Sequence, residues 1–528
     1  MADTKTPGAP GTVLVAEDPL APSKQVSSTR QRLSDIFTIF CSGFALISDG
    51  YQNNLMTMTN VVLKAEYPKQ YTSAVSTQVS NALLVGEIIG QIVIGLTCDY
   101  LGRKVAIVTT TLMIVVGGIL GTASNGVTIT GMFWMMTIAR GIVGFGTGGE
   151  YPASSTSASE AANEYTLARR GPVFILVTNF PLSFGGPLAV IVFLIVLAAT
   201  TTAHLSTLWR VTFAIGCLLP LTVFYFRIKM LNSKLYRRGA IKRKVPYLLV
   251  IQYYWKAMIG TCGAWFLYDF VRCPNGRFER TFANGRDGVT GDLSQRRVFR
   301  HHHLQRRQER EHPANSRMAT PPRLARASRR VPRRVSLRQT RSKADHDAGI
   351  QRLPYASSTQ FESPIPSDVL TIVVFGLIIG LAYDRLTKIV PLFVIFYGLM
   401  LSSGNLGPGD MLGLLSSESY ATAVRGTCYG ISAAVGKTGA AIGTEVFTPI
   451  QNNLGKKWTF IIAAIVGVAG ILVTFFFVPN ISGGDLAVED EKFRAYLVAH
   501  GWEGEMGEED LKALAEEGVP PGVVEEVR

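Results

Sequence analysis

Charge is scarce in this chain. Only 17% of its 528 residues are Asp, Glu, Lys or Arg, against 47% hydrophobic. A soluble enzyme of this length needs more charged surface, so an ordinary globular domain is excluded and a polytopic membrane protein is indicated. Cysteine is sparse too: Cys41, Cys98, Cys217, Cys262, Cys273 and Cys428 show no C-x-x-C spacing. That removes a structural zinc site and a disulfide framework, and no metal or cofactor is expected. No cleavable signal peptide is visible, so the first apolar segment is expected to direct insertion. Positive charge is absent as a general property, despite a net +14. Between Arg277 and Arg352, 19 Arg and one Lys stand against seven acidic residues, which accounts for all but one of those charges. A nucleic-acid partner is therefore not expected.

What is present is a series of apolar runs. They recur near 33–56, 79–99, 105–124, 131–153, 171–199 and 208–228, each about the length needed to cross ~30 Å of hydrocarbon as a helix. Basic residues at Arg103/Lys104, at Arg169/Arg170 and from Arg227 to Lys256 alternate with loops poor in them. By the positive-inside tendency the N-terminus and the 229–256 linker are cytosolic. The expected organisation is a disordered tail over 1–32, a six-helix half over 33–228, and that linker. Then come a short seventh span at 257–272, an Arg-rich non-membrane segment at 273–368, further helices over 369–482, and an acidic cytosolic tail at 483–528.

The fourth run ends in Arg140-Gly-Ile-Val-Gly-Phe-Gly-Thr-Gly-Gly-Glu150-Tyr151-Pro152. Its five glycines let neighbouring backbones approach closely in lipid, and Glu150 is expected to belong to a proton-coupled substrate site. Gly144, Gly146 and Gly149 spell G-x-G-x-x-G, but no strand precedes them, so a dinucleotide loop is rejected. Likewise Gly436-Lys437-Thr438 lacks the glycine at 431 that a phosphate loop requires. Asp49, Glu87, Arg140, Glu150, Asp269 and Lys437 are ionisable residues within apolar helices and so are functional candidates. The plain alternative is interhelical ion pairing without a substrate role. For Glu87, with Gln91 one turn later, packing is the preferred reading.

Gly95-Leu-Thr-Cys-Asp99-Tyr-Leu-Gly102-Arg103-Lys104 matches G-x-x-x-D-x-x-G-R-K, the loop signature of the major facilitator superfamily. It predicts a tight turn at Gly102 and an Asp99 that pairs with a charge on another helix, latching two halves together. Further words sharpen the match: Ser48-Asp49-Gly50-Tyr51, Gly148-Gly149-Glu150-Tyr151-Pro152, Trp265-Phe-Leu-Tyr-Asp269, Asn405-Leu-Gly-Pro-Gly-Asp410, and Gly430-Ile-Ser-Ala-Ala-Val-Gly-Lys437. Over about 33–272 and 372–500 the chain resembles the fungal phosphate and glycerophosphodiester proton symporters of that superfamily. The resemblance implies an all-α major facilitator fold of two six-helix halves. It also implies import of a small phosphate or phosphodiester anion with protons across the plasma membrane. Asp49, Glu150 and Asp269 would then be proton-coupling acids and Lys437 would meet the phosphate. Tyr151 and Trp265 would line the pocket, with Asn179 where the orthophosphate branch carries a Gln. Gly95, Asp99, Gly102, Arg103, Lys104 and Arg140 would gate. Asn179-Phe-Pro181 favours the organic phosphodiester branch, and Met230-Leu-Asn-Ser-Lys-Leu in place of Pro-Glu-Ser-x-Arg disfavours a sugar.

From Cys273 to about Asp368 no 18-residue apolar run exists. The second half is therefore expected to be incomplete, with span eight missing and span seven truncated. The segment reads either as a basic loop able to meet acidic lipid head groups or as out-of-frame sequence, and His301-His302-His303 needs no metal. Two topologies follow. Later helices enter upside down, or 257–272 fails to cross and the rest keep their direction. A transport-inactive damaged copy or a nutrient sensor is the rival function. A membrane phosphotransfer enzyme lacks the polar catalytic cluster it would need. Phe493, Tyr496, Leu497 and Trp502 predict a short amphipathic helix in an otherwise solvated tail.

Overall fold

The computed structural model describes residues 39–166, 169–200, 205–229, 233–241, 245–272, 367–478, 485–504 and 506–507. The tail at 1–32, the Arg-rich segment up to 366 with Cys273 and its three histidines, and the acidic end from 508 lie outside them.

Helices dominate because apolar residues run in long unbroken blocks and lipid leaves backbone groups no other partner. The first, α1, is Ile47–Glu66, entered through a 3₁₀ turn at Phe44–Leu46. It continues well past the apolar run ending at 56, because its last turns are polar but still hydrogen-bonded. Next are α2 (Ser73–Leu101), capped by the Thr72 side chain, and α3 (Arg103–Thr122). They are separated by Gly102, whose φ of +97° only glycine adopts freely, so the predicted turn is there. The 38-residue α4 (Ile129–Thr166) contains Pro152. The helix α5 is in two pieces, Arg170–Val177 and Asn179–Thr200. It breaks where Pro181 lacks the N–H that would bond Val177. The half closes with α6 (Leu205–Lys229), followed by a short α7 (Lys234–Gly239).

The seventh span is not the short segment expected. Helix α8 covers 247–272, about 39 Å at 1.5 Å per residue, and starts inside the stretch assigned to the linker. Beyond it lie α9 (Ser367–Leu381) and α10, which is Val390–Gly404, a π-helical turn at Asn405–Gly409, then Asp410–Glu418. The last three are α11 (Arg425–Leu454), α12 (Lys457–Phe477) and α13 (Leu486–Ala499). Among the described residues, seven helices are long and apolar enough to cross a membrane.

Helix directions overturn the inverted topology drawn from the sequence and agree with the other in the direction of the later helices. Trp265, Phe266 and Phe270 lie in turn against Gly436, Gly439 and Gly443, so α8 and α11 run parallel. Gly260 and Gly263 meet Phe477 and Val473, while Gly376 and Gly380 meet Phe460 and Lys457. Both α8 and α9 are thus antiparallel to α12 and parallel to each other. At 26 residues α8 has the length to cross, without being one of the seven helices that are also apolar enough, and the later helices are not inverted. How the chain passes from 272 to 367 lies outside the described residues.

Packing is inside-out, as lipid demands. Val85, Ile89, Val93, Ile195 and Phe476 are exposed, whereas Ser154, Ser155, Thr156, Ser159 and Glu160 on α4 are buried. The α4 glycines allow the close approach predicted. A Cβ on Gly144 would come 2.2 Å from the Leu83 carbonyl oxygen, and one on Gly148 2.2 Å from that of Glu87. Gly141 is the exception, its nearest neighbour 3.8 Å away. The amphipathic α13 is not a solvated tail. Phe493 and Leu497 are buried against Tyr254, Tyr420 and Val424.

Candidate substrate and coupling site

Lys437, in the middle of α11, is a cation at the seam between the halves. Its amine lies 2.9 Å from Glu87 Oε2 on α2 and 3.8 Å from Asp49 Oδ2 on α1, and 5.3 Å from the centre of the Tyr151 ring on α4. Tyr151 donates its hydroxyl to Asp49 Oδ2 at 2.5 Å. Asn53, one turn beyond Asp49, donates to Asp49 Oδ1 at 2.6 Å and to Glu87 Oε1 at 3.3 Å. Asp269 on α8 acts on Lys437 electrostatically. Trp265 stands edge-on to Tyr429, ring centres 5.5 Å apart, in one apolar cluster with Tyr151, Leu412 and Ala433. Lys437, Asp49, Tyr151, Trp265 and Asp269 are thus brought together as expected. Such a site can hold an anion only if the amine exchanges a carboxylate for it.

Glu150 is not in this cluster. Consecutive helical residues point about 100° apart, so Tyr151 faces the seam while Glu150 faces into the first half. There it accepts from Arg227 Nη1 on α6 at 2.8 and 2.9 Å, from Thr110 at 2.6 Å, and from Ser154. The guanidinium is completed by the carbonyls of Cys41 and Ser42 at 3.0 and 2.8 Å. Both partners are buried, and this fully bonded pair ties the segment leading into α1 to α3, α4 and α6. Its place beside Lys437 is taken by Glu87, which the sequence assigned to packing. The only hint was an acid facing no basic residue within its own helix.

The remaining predicted residues divide between a latch and other positions. Asp99 accepts from Arg103 at 2.5 Å, from the backbone N–H groups of Gly426 and Thr427 at 3.0 and 2.7 Å, and from the Thr427 hydroxyl at 2.7 Å. Its charged partner, Arg103, is on the next helix of the same half, as expected of a charge on another helix; across the seam its partner is the N-terminus of α11, where unpaired amides and the helix dipole favour an anion. The charge pairing across the seam runs instead through Glu160, 2.9 Å from Arg103 and 3.1 Å from Arg425. Arg103 also donates to the Thr422 carbonyl at 3.0 Å. Gly95 lets α2 meet α11, where its Cβ would lie 3.1 Å from Gly430 Cα. Lys104 follows, half-buried. Arg170 to Glu418 at 2.7 Å adds a further bridge between the halves. The whole seam is closed at the Asp99 end. Arg140 is not part of this closure. Ten residues before Glu150, about 15 Å along the helix, it donates to the Val79 carbonyl at 3.2 Å and faces Phe213. Asn179 donates to the Asp410 carbonyl at 2.8 Å, bridging α5 and α10.

The profile of the sugar (and other) transporter family matches residues 35–244 and 369–493. The chain is 49% identical to glycerophosphoinositol permease 1 of Candida albicans over 92% of this chain and 88% of that protein. It is 47% identical to glycerophosphoinositol transporter 1 of Saccharomyces cerevisiae over 91% and 86%. In fold it is similar to the proton:xylose symporter XylE bound to 6-bromo-6-deoxy-D-glucose, with a TM-score of 0.63 and 15% identity over 87% of this chain and 99% of the other. The chain belongs to the sugar (and other) transporter family of the major facilitator superfamily, among the fungal glycerophosphodiester permeases.

Proposed function

We propose that the chain imports glycerophosphodiesters, glycerophosphoinositol and glycerophosphocholine foremost and inorganic phosphate as the other candidate, together with protons. It does so at the plasma membrane, with its N-terminus and the Asp99 end in the cytosol. The observation that carries this reading is the Lys437 amine at the seam, held by carboxylates of the opposite half. A phosphodiester carries one negative charge and can replace a carboxylate on that amine through charge-assisted hydrogen bonds. Tyr151 and Trp265 supply apolar walls, and Asn179 sits where it can sense the α5–α10 approach. The acids around the amine, Asp49 and Asp269 among them, supply a group whose protonation relieves repulsion of the anion. Alternating access would follow as rocking of one half on the other about this fixed site. The names of the relatives support the substrate class, and the clustering of acids around the lysine supports the coupling.

Uptake of labelled glycerophosphoinositol by cells lacking their own permeases tests this. Expression of the chain should restore uptake, and Lys437→Ala should remove it. No uptake above control would favour a transport-inactive copy or a sensor, a reading prompted by the stretch between 244 and 369 that the family profile does not match.

A further inference from the structure

Three carboxylates could exchange a proton near Lys437, and their neutral partners separate them. Asp49 receives two hydrogen bonds from uncharged donors, the Tyr151 hydroxyl at 2.5 Å and the Asn53 amide at 2.6 Å. It stays solvated by protein when the lysine leaves. Glu87 is fully buried. Apart from Lys437 at 2.9 Å, its recorded donor is the shared Asn53 amide at 3.3 Å. Gly148 packs against its backbone and fixes the close approach of α4 to this turn of α2. Asp269 acts on Lys437 from the same half, on α8, and is only partly buried. The charged groups facing Glu87 are Asp49 from α1, Lys437 from α11 and, farther along α4, Arg140, with the Tyr151 phenol between.

We infer that Glu87 is the coupling carboxylate, the group that takes up the transported proton when the substrate anion displaces it from Lys437. A buried carboxylate stripped of its counter-ion is strongly disfavoured, so anion binding and proton uptake at Glu87 become one event. Charge balances over the step. Empty, the trio Asp49, Glu87 and Lys437 carries net −1. Loaded, the neutral Glu87 acid, Asp49, Lys437 and a phosphodiester monoanion also carry net −1. One proton and one anion cross together, and the empty carrier returns with the Glu87–Lys437 bridge re-formed. Glu150, already saturated by Arg227 and hydroxyls, has no such event to respond to. The inference rests on the proposed proton-coupled import and assigns its acid.

The test uses the full chain purified into liposomes, with labelled glycerophosphoinositol as probe. Two fluxes are read: counterflow, which needs no net proton movement, and accumulation driven by an imposed inward proton gradient. Glu87→Gln should still show counterflow, at a reduced rate, since a neutral amide mimics the protonated acid. It should lose gradient-driven accumulation and the dependence of flux on pH, and Glu87→Asp should retain both in weakened form. Accumulation with wild-type pH dependence in Glu87→Gln overturns the inference. Loss of counterflow as well, in protein that is monodisperse and folded, overturns it too, because the carboxylate would then serve binding or structure. A wild-type chain that exchanges substrate but ignores the gradient sinks the proton-coupled reading itself.

Discussion

Two glutamates illustrate how much a neighbour decides. Glu150 and Glu87 are both buried acids in apolar helices, but one meets an arginine bonded on every side and the other a lysine shared at the seam. Removing one member of a buried ion pair leaves an uncompensated charge and costs about 3–5 kcal/mol. Glu150→Gln should accordingly lower the melting temperature of the purified protein sharply, and the double change Glu150→Gln with Arg227→Met should recover much of it. Additive losses in the double variant would show that the pair is not a unit. Lys437→Ala should reduce glycerophosphoinositol transport by about 30-fold or more, the loss expected when a charged contact worth at least ~2 kcal/mol is cut. Retained transport in that variant would remove the amine from the site. In the sequence, Lys437 and Asp49 stood out because each is an isolated charge within apolar surroundings. The partner of Glu150 did not, because Arg227 lies 77 positions downstream among basic residues that also mark a cytosolic helix end. Nothing along one helix shows which way its acid turns.

Elements carry a different kind of information. The α2–α4 contact is a run of glycines against backbone carbonyls. Gly144→Ala or Gly148→Ala therefore forces a methyl to within 2.2 Å of an oxygen, and the helices must separate. Each should cut the yield of folded protein and lower its melting temperature, while Gly141→Ala should be tolerated. Equal behaviour of the three would count against close packing as the reason for the glycines. This interface was legible in the sequence because glycine spacing is a direct statement about backbone approach. Helix ends were less so. The start of α8 was read ten residues late because 247–256 contains Gln252, Lys256 and several tyrosines, which dilute its hydropathy without breaking the helix. Tyr254 is buried against Tyr420 and Phe493, so tertiary contact stabilises a turn that composition alone does not announce. The docking of α13 was equally hidden. Its cap, Asp485, accepts from Asn163 on α4 at 2.9 Å, and such a contact between distant segments leaves no local pattern.

At the scale of the whole molecule, closure is concentrated at the Asp99 end. Asp99 joins the start of α11, Glu160 joins Arg103 to Arg425, and Asp490 on α13 accepts from Thr422, its backbone N–H at 2.5 Å and its hydroxyl at 2.7 Å. Cys98 is buried within this contact. Asp99→Asn should weaken it and speed alkylation of Cys98 by a membrane-permeant maleimide several-fold, against a background lacking the other cysteines. An unchanged labelling rate would mean that the latch is held elsewhere.

None of the groups that make this seal belongs to the cluster around Lys437. On the proposed function, clock and lock would thus be kept apart: the seal would set turnovers per second, and the lysine cluster would decide which cargo counts as a key. Natural drift at the seal should yield faster or slower carriers of unchanged appetite, and drift around the lysine should do the reverse.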